Sequence, residues 1–390
     1  MTGSAGASLR AGVEQAMRDA GIDETGVTSV EPFDDVRLAL EERRGSGLHG
    51  GMAFTFKDPR RSTEPARLLR RASSMVVGAR SYLEATPDRP AGPTARVARY
   101  AWRDHYRDLR RGLDAGAEVL RASGHRAMVI ADQNGLVDRA AAHRAGIGWW
   151  GRNANLLVPG AGSWFVLGAV VTDADLPVSP GPVSDGCRTC RNCVPACPTG
   201  AIVDDGVIDA RRCLAWLVQD TGVFPRAHRV ALGDRLYGCD DCQDACPPGR
   251  SSVRDATPVE ISEGPPSPPD AWVDVLDVLA ADDAVLLERF GRWYIPRREP
   301  RYLRRNALVV LGNVGDPGDP RVVDALGHFV THVDPLLRAH AVWASARLGL
   351  RHLVEAAADD PHPAVRAEVA LADGVPPAPA AVAASAVSGS

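Results

Sequence analysis

The reactive groups of this 390-residue chain are concentrated in eight cysteines. Cys187, Cys190, Cys193 and Cys197, the last followed by Pro198, form a C-x2-C-x2-C-x3-C-P run. That spacing wraps thiolates around one iron-sulfur cluster while the fourth reaches a second. A second run, Cys239, Cys242 and Cys246 before Pro247, is one thiolate short, and Cys213 is the one cysteine left to supply it. Under the crossing rule of two-cluster ferredoxins, Cys187, Cys190, Cys193 and Cys246 hold one 4Fe-4S cluster. Cys239, Cys242, Cys197 and Cys213 then hold the other. The alternatives are disulfides or a pair of zinc sites, since C-x2-C pairs also suit zinc. Repeated short runs ending in Cys-Pro favour the clusters.

Other stretches could also do chemistry. Asp132 closes the predicted strand Arg126 to Ala131 and precedes a turn, Gln133 to Leu136, then Asp138 and Arg139. Reactive groups commonly sit at such strand ends in open α/β folds, although stabilising a turn or capping a helix is an equally common use. Further on, Gly146, Gly148 and Gly151 are interleaved with Trp149 and Trp150 and followed by Arg152, Asn153 and Asn155. Glycines let backbone approach a flat ligand and tryptophans can line its edge, but tryptophans more often fill a core. The stretch is not a G-x-G-x-x-G turn after a strand, and the chain has no P-loop, so neither nucleotide motif is present. His49, between Leu48 and Gly50, reads from its spacing as a loop residue that fixes a turn.

The positioning elements follow from periodicity. Leu9, Val13, Met17 and Ala20 share a helix face that Gly21 ends. A short strand at 27–30 and a helix at 35–43 come next. The spacing then predicts an arginine-rich helical segment from Pro65 to Arg71, a strand from Ser74 to Ala79, and a helix from Tyr106 to Ala122. Strands at Arg126 to Ala131 and Ser163 to Val171 complete an α/β layer fold over residues 1–180. The cysteines occupy 181–261, and a proline-rich linker runs from Ser262 to Asp270. Beyond it Arg305, Arg338 and Arg366 each open an alanine- and leucine-rich helix, at intervals of roughly 30 residues that suit HEAT-like helix pairs over 271–372. Residues 373–390 are rich in Pro and Ala and are expected to be disordered.

The net charge of -4 gives no global signal for nucleic acid, so such a partner must rest on a local patch. Between Arg289 and Arg305 lie seven arginines and one glutamate, interleaved with Phe290, Trp293, Tyr294 and Tyr302. Arginine pairs with phosphates and aromatics accept splayed bases, although a solvated helix face would look similar. No apolar run reaches the roughly 18 residues of a transmembrane helix. The first residues are polar and then amphipathic, without a secretory core or twin-arginine pair. Thiolate-held clusters favour a reducing compartment, so a cytoplasmic protein with no membrane contact is expected.

Taken together, these stretches resemble one family, the cobalamin-dependent epoxyqueuosine reductases of tRNA modification. The resemblance is carried by Gly47 to Met52, Arg99-Tyr100-Ala101, Asp132 with Asp138-Arg139, Gly146 to Asn153, Gly162 to Gly168 and the order of the cysteines. It implies an α/β cobalamin-binding domain, a ferredoxin-like two-cluster domain and an α-helical HEAT-like repeat domain. Electrons from a low-potential donor would pass through the clusters to cobalamin, and the epoxide would become an alkene with loss of water. Asp132 matches the family's proton donor. Arg61, Asp132, Asn155, Ser163 and Gly238, Cys239, Asp240 and Asp241 are carried over as cobalamin contacts. Arg139, Arg297, Arg298 and Arg301 are assigned to tRNA, at the anticodon region that carries epoxyqueuosine. No Asp-x-His-x-x-Gly motif is present, so no histidine ligand to cobalt is expected.

The chain departs from the family with Gln133 and Gly135, where Ser or Thr and Pro are usual, and with Arg152 in place of Lys. Two other functions remain open at this point. One is a related reductase of small molecules, akin to reductive dehalogenases; the other is a plain iron-sulfur electron carrier with an RNA-binding appendage.

Overall fold

The apolar runs expected to be strands assemble into one sheet. The computed structural model describes residues 2–255 and 270–379. Its strands β1 (Glu24–Ser29), β2 (Ser74–Ser81), β3 (Ala127–Ala131) and β4 (Phe165–Thr172) lie in the order β1-β2-β4-β3. Every pairing is antiparallel, a direction that strand and helix alternation alone does not set. Met75, Val77, Ala169 and Val171 point to one face, where they pack with Ala140 and Ala141 of helix α3 (Asp138–Arg144). The other face meets α1 (Thr2–Asp19) and α2 (His105–Ala122). There Gly78 pairs with Gly168 across the two central strands. A Cβ at Gly168 would come within 2.7 Å of Leu113, and one at Gly78 within 3.0 Å of Met17. Only glycine allows the helices this approach.

One predicted element is corrected. The segment from Pro65 to Arg71 is not a helix; a short helix, Pro59–Thr63, is followed by a single 3-10 turn, Pro65–Arg67. Asp58 caps that helix by accepting from the Arg61 amide at 3.0 Å, with Pro59 at its first position. Pro65 keeps Glu64 out of helical backbone and ends it.

The chain forms two units that are not consecutive in sequence, unlike the boundaries expected above. One comprises Met1–Ala85, Arg103–Cys213 and Asp240–Pro266; the other comprises Thr86–Trp102, Leu214–Cys239 and Ser267–Ser390. The second has its own three-stranded sheet, in which Thr94–Val97 lies between Arg235–Tyr237 and Trp272–Asp274. That pairing draws residues 86–102 and 214–239 into the helical unit.

Helices α4 (Arg301–Val314), α5 (Pro320–Val330), α6 (Pro335–Arg347) and α7 (Pro363–Ala370) also belong to this unit. Three of them begin with Pro after a capping side chain: Asp319 accepts from the Arg321 amide, Asp334 from Leu336 and His362 from Ala364. Arg305 is 1% exposed. It donates to the carbonyls of Asp220 (2.7 Å), Gly222 (2.9 Å), Leu217 (3.1 Å) and Val218 (3.3 Å). Asn306 adds bonds to Val218 and Leu236, and His340 accepts from the Phe224 amide. The helices thus hold the stretch 217–236 through its carbonyls.

The linker at 262–270, apart from Asp270, and the tail from residue 380 lie outside the described residues. Residues 373–379, expected to be disordered, are tied down instead. Arg347 donates to the carbonyls of Pro376 and Pro377, and its own carbonyl accepts from the Ala378 amide. No helix among the described residues is long and apolar enough to cross a membrane.

Replacing Arg305 by Ala strands several buried carbonyls, each costly without a partner, and should destabilise the protein by about 3 kcal/mol. Urea unfolding monitored by circular dichroism measures this, and a loss under about 1 kcal/mol would show that the carbonyls find other donors.

Candidate active site

In the first unit the Cys187 loop is tight, with the Cys190 amide donating to the Cys187 carbonyl at 2.7 Å. Cys193 opens a one-turn helix, Cys193–Ala196. The Cys197 sulfur accepts from the Ala201 amide at 3.2 Å. All eight cysteines are free, partly buried thiols. Among the described residues no three Cys, His or carboxylate groups close on one point as ligands of a single ion do.

Burial pushes the Cys246 thiol up to about 11, and Cys187, Cys193 and Cys190 push it the same way. Burial raises Cys193 as well, with Cys187 and Cys190 adding to it and Arg152 opposing. These four sulfurs are therefore close enough to repel one another as thiolates. Cationic iron among these sulfurs would offset the repulsion, so the donor set fits a cluster.

The acid lies elsewhere in the same unit. Asp132 follows β3 in left-handed backbone, φ 51°, which is unusual for a residue with a side chain. Its loop is held by Ser62, whose hydroxyl donates to the Asn134 carbonyl at 2.7 Å and whose carbonyl accepts from the Val137 amide at 3.0 Å. Arg110 of α2 donates to the Ala131 carbonyl.

Asp132 faces solvent, yet partial enclosure by protein raises its pKa, with the Arg110 cation opposing. Asp138 opens α3, and its Oδ1 is shut off from solvent without a hydrogen-bond partner. Burial first and the charge of Asp132 second raise its pKa well above the ordinary carboxyl range, against Arg139 and Arg110. Tyr106 is raised by burial, then by Asp132 and Asp138. Tyr106 and Arg110 also line a cavity of about 500 Å³ with Asp104, Arg107, Arg111 and Asp114. The result is a group of acids biased towards keeping their protons, with one of them at the surface.

Arg139 donates to the Ala154 carbonyl at 3.3 Å. Asn155 is held through its amide by Asn153, whose side chain also donates to the Cys242 carbonyl at 3.4 Å. The Ser163 hydroxyl is 3.1 Å from Nε2 of Gln243, which also reaches Tyr82 and lies two residues beyond Asp241. The Arg61 side chain is exposed, and Asp240 is buried. Gly238 and Cys239 belong to the second unit. There Gly238 takes a φ of 71°, and a Cβ would come within 2.4 Å of Ala98, beside the Arg99-Tyr100-Ala101 stretch.

The arginine patch of the second unit is smaller than its sequence suggests. Phe290, Trp293 and Tyr302 are at most 5% exposed and belong to the core, so they cannot accept a base. Arg301 pairs with Asp334 at 2.7 Å, Arg289 and Arg292 pair with Asp270, and Arg304 with Asp283. What remains outward is Tyr294, 60% exposed, with Arg297 and Arg298 in consecutive left-handed conformations at φ 53° and 55°. The Arg298 guanidinium also reaches the Gly291 carbonyl at 3.2 Å. Sequence patterns did not single out Ser62 or Gln243, because isolated polar residues of these types carry no spacing signal, whereas Tyr106 lies in Asp104-His105-Tyr106, where the family has Asp-Tyr-His.

The Asp138 environment has a consequence for stability. The folded carboxyl keeps a proton that the unfolded one, with a pKa near 4, releases, so stability falls as pH rises from about 4 through the folded value. Asp138→Asn removes that loss. Its stability relative to the unaltered protein should rise between pH 5 and pH 8, at up to about 1.4 kcal/mol per pH unit within the window, and the difference in melting temperature should grow with it. An equal difference at both pH values would mean that Asp138 ionises normally.

Comparison with known proteins places this geometry. Residues 186–249 match the family model of a 4Fe-4S double cluster binding domain, and residues 294–372 match that of HEAT repeats. The epoxyqueuosine reductase of Xanthomonas campestris is 35% identical over 345 residues, spanning 85% of this chain and 94% of that protein. A solved epoxyqueuosine reductase with a tRNA-Tyr epoxyqueuosine-modified tRNA stem loop has a TM-score of 0.83 at 27% identity, covering 94% of this chain and 98% of that one. The Bacillus subtilis enzyme, solved with its aspartate catalytic loop swung out of the active site, has a TM-score of 0.82 at 27% identity, covering 95% and 99%. With such similarity along most of its length, the chain belongs to the epoxyqueuosine reductase family.

Proposed function

We infer that this chain reduces epoxyqueuosine to queuosine in tRNA, using cobalamin supplied with electrons through two 4Fe-4S clusters. Family membership over most of the chain carries this reading. The exposed Asp132, with its raised proton affinity, supplies the acid that the reaction needs. A low-potential electron donor is part of this reading, and a reducing cytoplasm suits the thiolate-held clusters.

Turning an epoxide into an alkene takes two electrons and two protons and releases the oxygen as water. Bound cobalamin supplies a low-potential centre for that reduction. Oδ1 of Asp138 and Nδ1 of His49 are shut off from solvent without partners, which leaves polar atoms available to the amides that rim such a group. Arg61, Asn155, Ser163 and the run Gly238 to Asp241 are the residues proposed to hold it.

An oxygen leaving as an alkoxide is poorly stabilised, so a proton must reach it as the carbon-oxygen bond breaks. Asp132 is the proposed donor. Partial enclosure keeps a larger fraction protonated at neutral pH, while Arg110 stabilises the carboxylate left behind. Exposure to solvent lets Asp132 regain its proton. Asp138 and Tyr106, both biased to stay protonated, keep further negative charge away from it.

The test is anaerobic turnover of tRNA carrying epoxyqueuosine with reconstituted protein, cobalamin and a low-potential reductant, read by mass spectrometry of the nucleosides. Queuosine should appear, and only when cobalamin is present; cobalamin binding without product would point to a small-molecule substrate. Asp132→Asn should keep the visible spectrum of bound cobalamin while turnover falls by a factor of about 100 or more. Full turnover would remove Asp132 as the donor.

Arg297 and Arg298, beside Tyr294, are the proposed tRNA contacts, with Arg301 already committed to Asp334. Replacing both with Ala should weaken tRNA binding and reduce its logarithmic salt slope by about 1 to 2, whereas Arg301→Ala should change the slope much less. An unchanged slope in the double variant would place the tRNA elsewhere.

A further inference from the structure

A charged pair lies against the first cysteine loop and has no part in the acid chemistry. Arg152 follows the glycine- and tryptophan-rich stretch, and its side chain is only 18% exposed. Its guanidinium pairs with Asp205 and donates to the carbonyl of Arg188, in the middle of the Cys187 to Cys190 loop. Arg188 takes φ 46°, so this carbonyl belongs to a strained turn. Asp205 also pairs at 3.1 Å with Arg191, the residue that follows Cys190.

The pair is braced from behind. The Gly206 amide donates to the Arg152 carbonyl at 3.0 Å, and Arg43 donates to the Gly206 carbonyl at 3.2 Å. The other carboxylates nearby are occupied, with Asp185 accepting from the Cys187 amide and Asp204 from the Asp205 amide. Through the Arg188 carbonyl and the Arg191 guanidinium, both charges abut the run from Cys187 to Cys193.

We propose that Arg152 and Asp205 together set the reduction potential of the cluster held by Cys187, Cys190 and Cys193, with Arg152 favouring the reduced state and Asp205 opposing it. The proposal rests on the two-cluster reading. Reduction adds one electron from the low-potential donor to a centre that is already anionic with its thiolates. A fixed cation beside it stabilises that added charge, and a fixed anion destabilises it. Arg152 also acts as a positioning residue, because its fork ties the loop carbonyl to the hairpin turn Asp204 to Gly206.

The two charges have opposite signs, so they give opposite shifts, which a merely structural role would not produce. The experiment is a potentiometric titration of full-length, anaerobically reconstituted protein, with the reduced clusters counted by electron paramagnetic resonance. Arg152→Gln should lower the ratio of reduced to oxidised cluster at the original midpoint about tenfold, a shift of about 59 mV for one electron. Asp205→Asn should raise that ratio, and Arg152→Lys, which keeps the charge, should shift it by less than Arg152→Gln does. Shifts of the same sign for Arg152→Gln and Asp205→Asn, or no shift, overturn the proposal. If Arg152→Gln cannot retain iron, Asp205→Asn decides alone: an upward shift supports the proposal, and any other result overturns it. If the unaltered protein binds only about four irons, the two-cluster reading itself fails, which iron analysis shows independently of any shift.

Discussion

The first unit depends on how closely helices can approach the centre of its sheet. Gly78 and Gly168 face each other across β2 and β4, and Leu113 of α2 lies where a side chain would otherwise project. The close approach sets the position of α2, and α2 carries Arg110 and Tyr106 to the end of β3. Arg110 reaches the last carbonyl of β3, while Asp132 turns away from it in left-handed backbone. Asp132, the proposed proton donor, is thus placed by packing some distance from itself, and a larger residue at Gly168 would disturb it through the helix.

Arginine serves this chain mainly as a tie for carbonyls. Arg305 holds four of them. Arg144 joins those of Ser29 and Glu31, and Arg347 that of Pro377. The planar fork suits this task, since several donors in fixed directions can satisfy a turn that lacks backbone partners. A second use, pairing with carboxylates, explains why a run of arginines between residues 289 and 305 shows so few free charges. Pairing with Asp270, Asp283 and Asp334 spends most of them inside the unit.

What the sequence made legible follows the reach of its signals. The cysteine runs, the strand cores and the repeated helices are local patterns, and each is visible in a short window. Strand direction, the joining of residues 86–102 and 214–239 to the helical repeats, and the anchoring of residues 373–379 depend on contacts far apart in the chain. No window contains them. The candidate site divides in the same way: Asp132 and the glycine-tryptophan stretch stood out by motif, whereas Asp205 looks like any turn aspartate until its partner Arg152 is seen. The aromatic residues among the arginines misled because Phe290, Trp293 and Tyr302 repeat at spacings that serve a core equally well.

The departures at Gln133 and Gly135 can be weighed on the same physical terms. Where the family usually carries Pro, Gly135 packs so closely on Leu68 that a Cβ would come within 2.8 Å of it. Glycine leaves the free loop more conformations than proline would, so ordering it costs more entropy. Two interactions offset that cost: the Leu68 contact and the pair of hydrogen bonds that Ser62 makes to Asn134 and Val137. Gln133 is exposed at the turn, and its side chain makes none of these clamping bonds. The change that matters for the acid is therefore in how its loop is held, while the enclosure that raises the proton affinity of Asp132 remains.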